Sequence, residues 1–287
     1  SRSYRYEIRG KRQSVPSNRD FSFEALVDGI PKAVLTAKDI DVAADGSFVV
    51  TVDADPVDGR RNHLFLPAGS NKVIVRDTLA DWSHQLPNRI SVKRIDNEPS
   101  HVRSAAETRQ LAVTEIGKLI EANITYMQRS IWGKPVNQLT TFVRSADDGV
   151  AGTVVGIRGF HVEDDEALIV TVDPANARYV SFQLTDPWFR SLPYAERTGS
   201  LSDHQVRKGA DGSISFILSP RDPGYYNRLD TPGLPDGAML PRFEDLVGAP
   251  QGARMIRAVR LAKLTDLQAA PPAAAVPAPP ADQAQQL

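Results

Sequence analysis

The sequence predicts a mainly β chain of the α+β class, with two related sandwich-like β units from an internal duplication, joined by one long amphipathic helix. Three observations predict it. First, the chain repeats itself. Asp45-Gly46-Ser47, Asp55-Pro56, Asn62, Leu64, Gly69 and Arg76 return as Asp211-Gly212-Ser213, Asp222-Pro223, Asn227, Leu229, Gly233 and Arg242. The Asp-Gly turn and the Arg are 31 residues apart both times, and Ser22-Phe23-Glu24-Ala25-Leu26 is partly echoed by Ser181-Phe182-Gln183-Leu184. Second, short β-branched runs lie between Gly, Pro and Asp punctuation. Third, the apolar period changes once, from two to the helical spacing. The boundaries that follow are 1–100 for the first β unit, 101–135 for the connecting helix, 136–268 for the second β unit and 269–287 for a tail.

In chain order, Ser47 to Val52 reads as a strand leaving an Asp-Gly turn, and Val73-Ile74-Val75 as a β-branched run. Arg89 to Ile95 alternates polar and apolar residues, as in a sheet wet on one face. Ser104 with Glu107 forms a capping box signature. Val113, Ile116, Ile120, Ile124, Met127 and Ile131 then fall at helical spacing, so a structural helix is expected from Ala105 to Ile131, ending near Gly133 and Pro135. Gly149, Gly152, Gly156 and Gly159 predict a loop-like connection over 137–159. Glu166 to Val172, Arg178 to Leu184 and Ser213 to Leu218 read as strands, and Met255 to Leu264 as a closing strand. Beyond Ala269 the chain is mostly Pro and Ala, too poor in large apolar groups for a core. This stiff arm suits an assembly role, as the contact of a homo-oligomer.

Composition narrows the partners. The 287 residues carry 34 basic and 35 acidic side chains, a formal charge of −1 that offers no pull toward nucleic acid or an anionic membrane. No apolar run approaches the ~20 residues of a membrane-spanning helix. The absence of cysteine removes disulfides and thiolate chemistry. The chain opens at Ser1 without a signal-like segment, which suggests a cropped or processed start and leaves the compartment open, with a lean toward the cytoplasm. Five histidines show no His-x-His or His-x-x-x-His spacing, so no metal is expected. There is no Gly-x-Ser-x-Gly elbow, and the glycines of 149–159 lack the order of a nucleotide loop, so no cofactor is expected either.

What remains is a polar and aromatic cluster from Arg221 to Asp230. Asp222-Pro223-Gly224 reads as a turn whose Asp caps backbone amides, or alternatively as a place where Asp222 assists Tyr225 or Tyr226 in proton transfer. A tyrosine with its ordinary pKa near ~10 needs a cation nearby to act as a base, and Arg76, Arg228 or Arg242 could supply it. Arg76 and Arg242 each end a strand, where an ion pair to a neighbouring carboxylate is the simpler role and anion recognition the alternative. Trp188 follows Pro187 in a loop, and with Tyr194 it could stack on a sugar or aryl ring. Asn227 completes the binding candidates.

The residues of the second unit resemble the bacterial family known as domain of unknown function 1214. The likeness is carried by Asp165 to Val170, Arg178-Tyr179, Trp188, Ser200-Leu201, Asp211-Gly212, Asp222-Pro223-Gly224, Asn227, Leu229-Asp230-Thr231, Gly233, Gly237 and Arg242. Asn62-x-Leu64, Val75-Arg76-Asp77 and Val259 to Leu264 extend it over most of the chain. Arg228 stands where an aromatic residue is common in that family, and Ser202 where Asn is usual. The resemblance implies a largely β architecture and no assigned activity. Together these readings lead to a small-molecule pocket protein, expected to be a cofactor-independent lyase or hydrolase on a hydroxylated, sugar-derived or phenolic substrate. In that reading Asp222, Tyr225 and Tyr226 are catalytic, and Arg76, Trp188, Tyr194, Asn227, Arg228 and Arg242 bind. The alternatives are a non-catalytic carbohydrate or small-molecule binding module and a structural component of an oligomer.

Overall fold

The computed structural model describes residues 4–97, 99, 102–144, 150, 152–248 and 252–269. Among them the chain divides into two units, one running to about residue 101 with 144–153 added, the other made of 102–143 and the chain from 154 onward. The fold is mainly β, with one major helix between two groups of sheets.

In the first unit, β1 (Tyr6–Lys11), β4 (Ser47–Asp53), β5 (His63–Phe65) and β7 (Arg89–Arg94) form a sheet of order β5-β4-β1-β7. The strands β2 (Asp20–Val27), β3 (Ile30–Thr36) and β6 (Lys72–Thr78) form a second, of order β3-β2-β6. Its core draws on both sheets, with Phe48 of β4 stacked on Phe21 of β2 at 5.1 Å between ring centroids and Ile8, Phe23, Val50 and Leu64 closing around them. Six consecutive residues of β2, Phe21 to Leu26, are buried. Polar Ser22 and Glu24, which alternate with Phe21, Phe23 and Ala25, are therefore buried as well, in a strand covered on both faces.

The second unit begins with α1 (Ala105–Ser130). Ser104 Oγ accepts from the Glu107 N–H, and the Glu107 carboxylate accepts from the Ser104 N–H, satisfying two of the free donors at the helix start. Only Met127 of this helix is buried, packed with Ile131 and Ala238. The apolar stripe from Val113 to Ile124 faces solvent. The strands β8 (Thr141–Val143), β9 (Val154–Gly156) and β10 (Arg158–His161) follow where a loop was expected. Gly156 explains the difference. A Cβ there would meet Pro241 Cγ and the Thr140 carbonyl oxygen at 2.9 Å each, so this glycine permits close packing of strands and does not mark a loop.

The remaining strands are β11 (Glu166–Val172), β12 (Ala177–Thr185), β13 (Ser200–Ser202), β14 (Ile214–Ser219), β15 (Arg228–Asp230), β16 (Asp236–Leu246) and β17 (Ile256–Lys263), with a short α2 (Leu264–Ala269) after them. One sheet has the order β15-β14-β11-β17; the other runs β13-β12-β16-β9-β8, with β10 also on β16. Phe182 and Phe216, 4.7 Å apart, hold the centre of the core. The tail after residue 269, read as an assembly arm, lies outside the described residues.

The two units share connectivity and local chemistry. A parallel pair, β4 with β5 and β14 with β15, sits in the same place in each four-stranded sheet. Asp45 and Asp211 each accept from the backbone N–H and hydroxyl of the Ser two residues on, and Gly46 and Gly212 follow them at φ +82° and +79°. Arg76 lies opposite Ser22 between β2 and β6, and Arg242 opposite Ser181 between β12 and β16.

Candidate functional site

Asn227 sets up the site without entering it. It takes φ +61°, a left-handed conformation that Asn tolerates better than most residues. Its Oδ1 accepts from Arg207 N at 2.8 Å, and its Nδ2 donates to the carbonyls of Arg207 at 2.7 Å and Ser215 at 3.2 Å. Asn62 is held the same way in the first unit, at φ +53°, on the N–H and carbonyl of Asp41 and the carbonyl of Val49. Each corner launches a three-residue strand parallel to its neighbour. In β15 this sends Leu229 into the core and turns Arg228 and Asp230, two residues apart, to the opposite face.

There they border a cavity of about 440 Å³ lined by Tyr194, Ala195, Glu196, Arg197, Thr198, Arg228 and Asp230. Asp230 is buried, and two guanidinium groups reach it: Arg197 Nη1 at 2.9 Å from Oδ2, Arg228 Nη2 at 3.1 Å from Oδ1. The second approach has ion-pair distance without hydrogen-bond alignment, and Oδ1, itself buried, accepts no hydrogen bond. Arg228 Nη2 also donates to the carbonyls of Ser219 and Pro220, while its buried Nε has no partner. The Thr198 carbonyl accepts from Asp230 N at 2.9 Å, which fixes the loop over β15.

That loop is ordered further upstream by Asp186. Burial acts to raise its pKa, but the Arg190 N–H, the Arg190 guanidinium and the Trp188 N–H outweigh it and hold the carboxyl below the usual range. Trp188 turns from the cavity lining to lie edge-on against Trp132 at 5.1 Å, and Trp132 Nε1 donates to the Pro187 carbonyl. The edge-on pair fixes the loop root, leaving Tyr194, 68% exposed, as the aromatic at the cavity.

Of the residues singled out from sequence, Tyr194 and Arg228 come together here. Asp222 accepts from the Gly224 N–H as a turn residue. Tyr225 donates its hydroxyl to the Leu267 carbonyl and packs beside Ala167, Ile169 and Ile217. Tyr226 lies under the Arg207 guanidinium at 5.4 Å. None of the three lines the cavity. Arg242 pairs with Glu244 at 3.3 Å, and Arg76 with the buried Glu24 at 2.5 Å. Arg197 and Glu196 were not among the candidates, and Asp230 stood in the polar cluster without an assigned role. The Arg228-x-Asp230 spacing carried a signal for Asp230, since period two puts both on one face of a strand; Arg197 and Glu196 had none, because a loop's approach to a strand is not written in local pattern.

Among the described residues no group of three or more His, Asp or Glu side chains is placed to hold a metal, and no helix is long and apolar enough to cross a membrane. No family model matches the chain, and no curated protein does. Several solved structures are similar, two of them as follows. An uncharacterized protein from Burkholderia cenocepacia shares 23% identity at a TM-score of 0.76, over 92% of this chain and 74% of that one. The VPA0106 protein from Vibrio parahaemolyticus shares 10% identity at a TM-score of 0.50, over 90% of this chain and 85% of that one. At these identities the likeness is one of fold.

Proposed function

We propose that the protein binds a small hydroxylated ligand, sugar-derived or phenolic, in the cavity between β15 and the 194–198 loop. The observation that carries this reading is the convergence of Arg197, Arg228 and buried Asp230 on one concave surface beside an exposed tyrosine ring. A hydroxyl both donates and accepts, and here it meets the guanidinium donors of Arg197 and Arg228, which the buried Asp230 carboxylate holds in place, with Glu196 as an acceptor in the lining. Tyr194 supplies an aromatic face for a sugar or aryl ring. The enzyme reading, a cofactor-independent lyase or hydrolase, draws its support from Glu196 and the Tyr194 hydroxyl, two groups at the cavity able to move a proton. It invokes neither metal nor nucleotide.

Calorimetric titration with a panel of sugar acids, neutral sugars and hydroxylated benzoates tests the proposal. A binder should lose roughly tenfold or more in affinity on Asp230→Asn or Arg228→Met, since either change leaves a desolvated polar partner behind. Tyr194→Ala should weaken aryl and sugar ligands alike. Unchanged binding in all three variants would remove the cavity from consideration. Turnover of any ligand, abolished by Glu196→Gln with binding retained, would select the enzyme reading.

The proposal extends to ancestry. The matched Asn corners, Asp-Gly turns and Ser–Arg registers support two sandwich-like halves descended from one duplicated unit. The block from Asp222 to Arg242 supports placing the chain with domain of unknown function 1214. Charge near zero supports a small-molecule partner over nucleic acid.

A further inference from the structure

The face of α1 that carries Met127 onto its own sheet continues toward the helix start through Val113, Ile116, Ile120 and Ile124, and there it is largely exposed among the described residues. Val113 is 67% exposed, Ile116 56% and Ile120 54%. Taking each exposed side chain at roughly 100 Å² gives about 400 Å² of contiguous apolar surface per copy, a patch of the size that is often functional. Gly117 lies on the edge of this face. Mid-helix glycine costs about 1 kcal/mol relative to Ala, yet a Cβ at Gly117 would meet no atom within 4 Å. The unit's own packing does not call for it.

We infer that α1 is a self-association element, in which two copies of the chain cross their helices in antiparallel fashion along Val113 to Ile124. One register pairs the centre of the face. With Gly117 set against Ile120 of the second copy, the two-fold axis places Val113 against Ile124, and the missing Cβ at Gly117 receives the Ile120 side chain as a knob enters a hole. Arg109, the cation that ends the stripe, comes opposite Gln128. Glu115 and Lys118 pair with each other at 3.2 Å on the far side of the helix and stay in water. Two faces bury about 800 Å² of apolar surface together, and the polar flanks bring the contact to about 1,200 Å², the lower end of a specific interface. A second copy is favoured over a foreign protein because the face is self-complementary under this axis, as an isologous contact requires.

Light scattering on the full chain across a dilution series tests this. The expected mass is twice the 31.4 kDa of one chain, falling to one chain on dilution, and Ile116→Glu with Ile120→Glu should give the single-chain mass at every concentration with helical circular dichroism retained. A single-chain mass for the unaltered protein at the highest concentration overturns the inference, as does a dimer that survives the double substitution. The chain has no cysteine, so orientation can be read directly. A mixture of Val113→Cys and Ile124→Cys proteins should crosslink on oxidation more than either alone; efficient crosslinking of each alone would mean parallel helices and would overturn the register.

Discussion

At the scale of single residues, Asn227 shows how one side chain can decide a local path. Asn227→Ala removes three hydrogen bonds and leaves a Cβ-bearing residue in a left-handed conformation with no compensation, so urea unfolding should show a loss of about 3 kcal/mol. Asn227→Gly keeps the conformation and should lose about half as much. Asn227→Asp should be worse than Gly, because a carboxylate oxygen replaces the amide that donates to two carbonyls. The Asn was legible in the sequence as a repeated residue. Its role was not, since Arg207 and Ser215 are 20 and 12 positions away. The same limit hid the fates of Asp222 and Tyr225. A turn aspartate and a core-edge tyrosine use the residue types that proton transfer uses, and only the partners, Gly224 N–H and Leu267 carbonyl, tell them apart. His161 offers a pH test. Hydrogen bonds to Asp236 and then Glu163 raise its pKa above the ordinary 6.5. Its contribution to stability is therefore complete below pH 6.5 and is lost as pH rises through the folded-state value. All three groups are substantially exposed, so the effect is small. An NMR titration should place the imidazole midpoint above 6.5, and His161→Gln should flatten stability against pH in that window.

At the scale of elements, each unit contains a glycine covered by a phenylalanine from the neighbouring strand. Gly10 of β1 is opposite Phe48 of β4, and Gly237 of β16 is opposite Phe160 of β10. The ring lies over the place where a Cβ would stand, at 2.0 Å for Phe48 and 2.5 Å for Phe160. Both glycines should resist substitution, but unequally. At Gly237 the Thr185 carbonyl oxygen also blocks the site at 2.4 Å, and backbone held in the β12–β16 ladder cannot step aside. Gly237→Ala should cost about 3 kcal/mol in thermal or urea unfolding, and Gly10→Ala less, since a ring can tilt. Strands with clean alternation or long β-branched runs, such as β7, β11 and β14, were readable from sequence, as was the capped helix α1. The strands β8, β9 and β10 were not: they are three or four residues long, and they exist because β16 is long enough to pair with both β9 and β10, with β8 added on β9.

At the scale of the whole molecule, the order of strands in space departs from their order in the chain. In the second unit β11 sits between β14 and β17, so a strand near the start of its sheet pairs with one near the end of the described chain. Stopping the chain after Met255 should leave β11 open from Glu166 to Val172 and give insoluble or loosely packed protein, judged by lost near-ultraviolet dichroism. Stopping after Ala269 keeps Leu267 in its apolar nest against Ala167, Ile169 and Ile217 and should give a cooperative melt. The same feature has a meaning for the protein's birth. When β11 leaves the ribosome, its partner β17 lies about 90 residues away, roughly 5 to 20 seconds of synthesis at ordinary rates. Throughout that interval a row of Ala, Leu, Ile and Val side chains with an unpaired edge is in the cytosol or its equivalent, and the nascent chain depends on whatever shields hydrophobic strands in its cell until the last strand arrives.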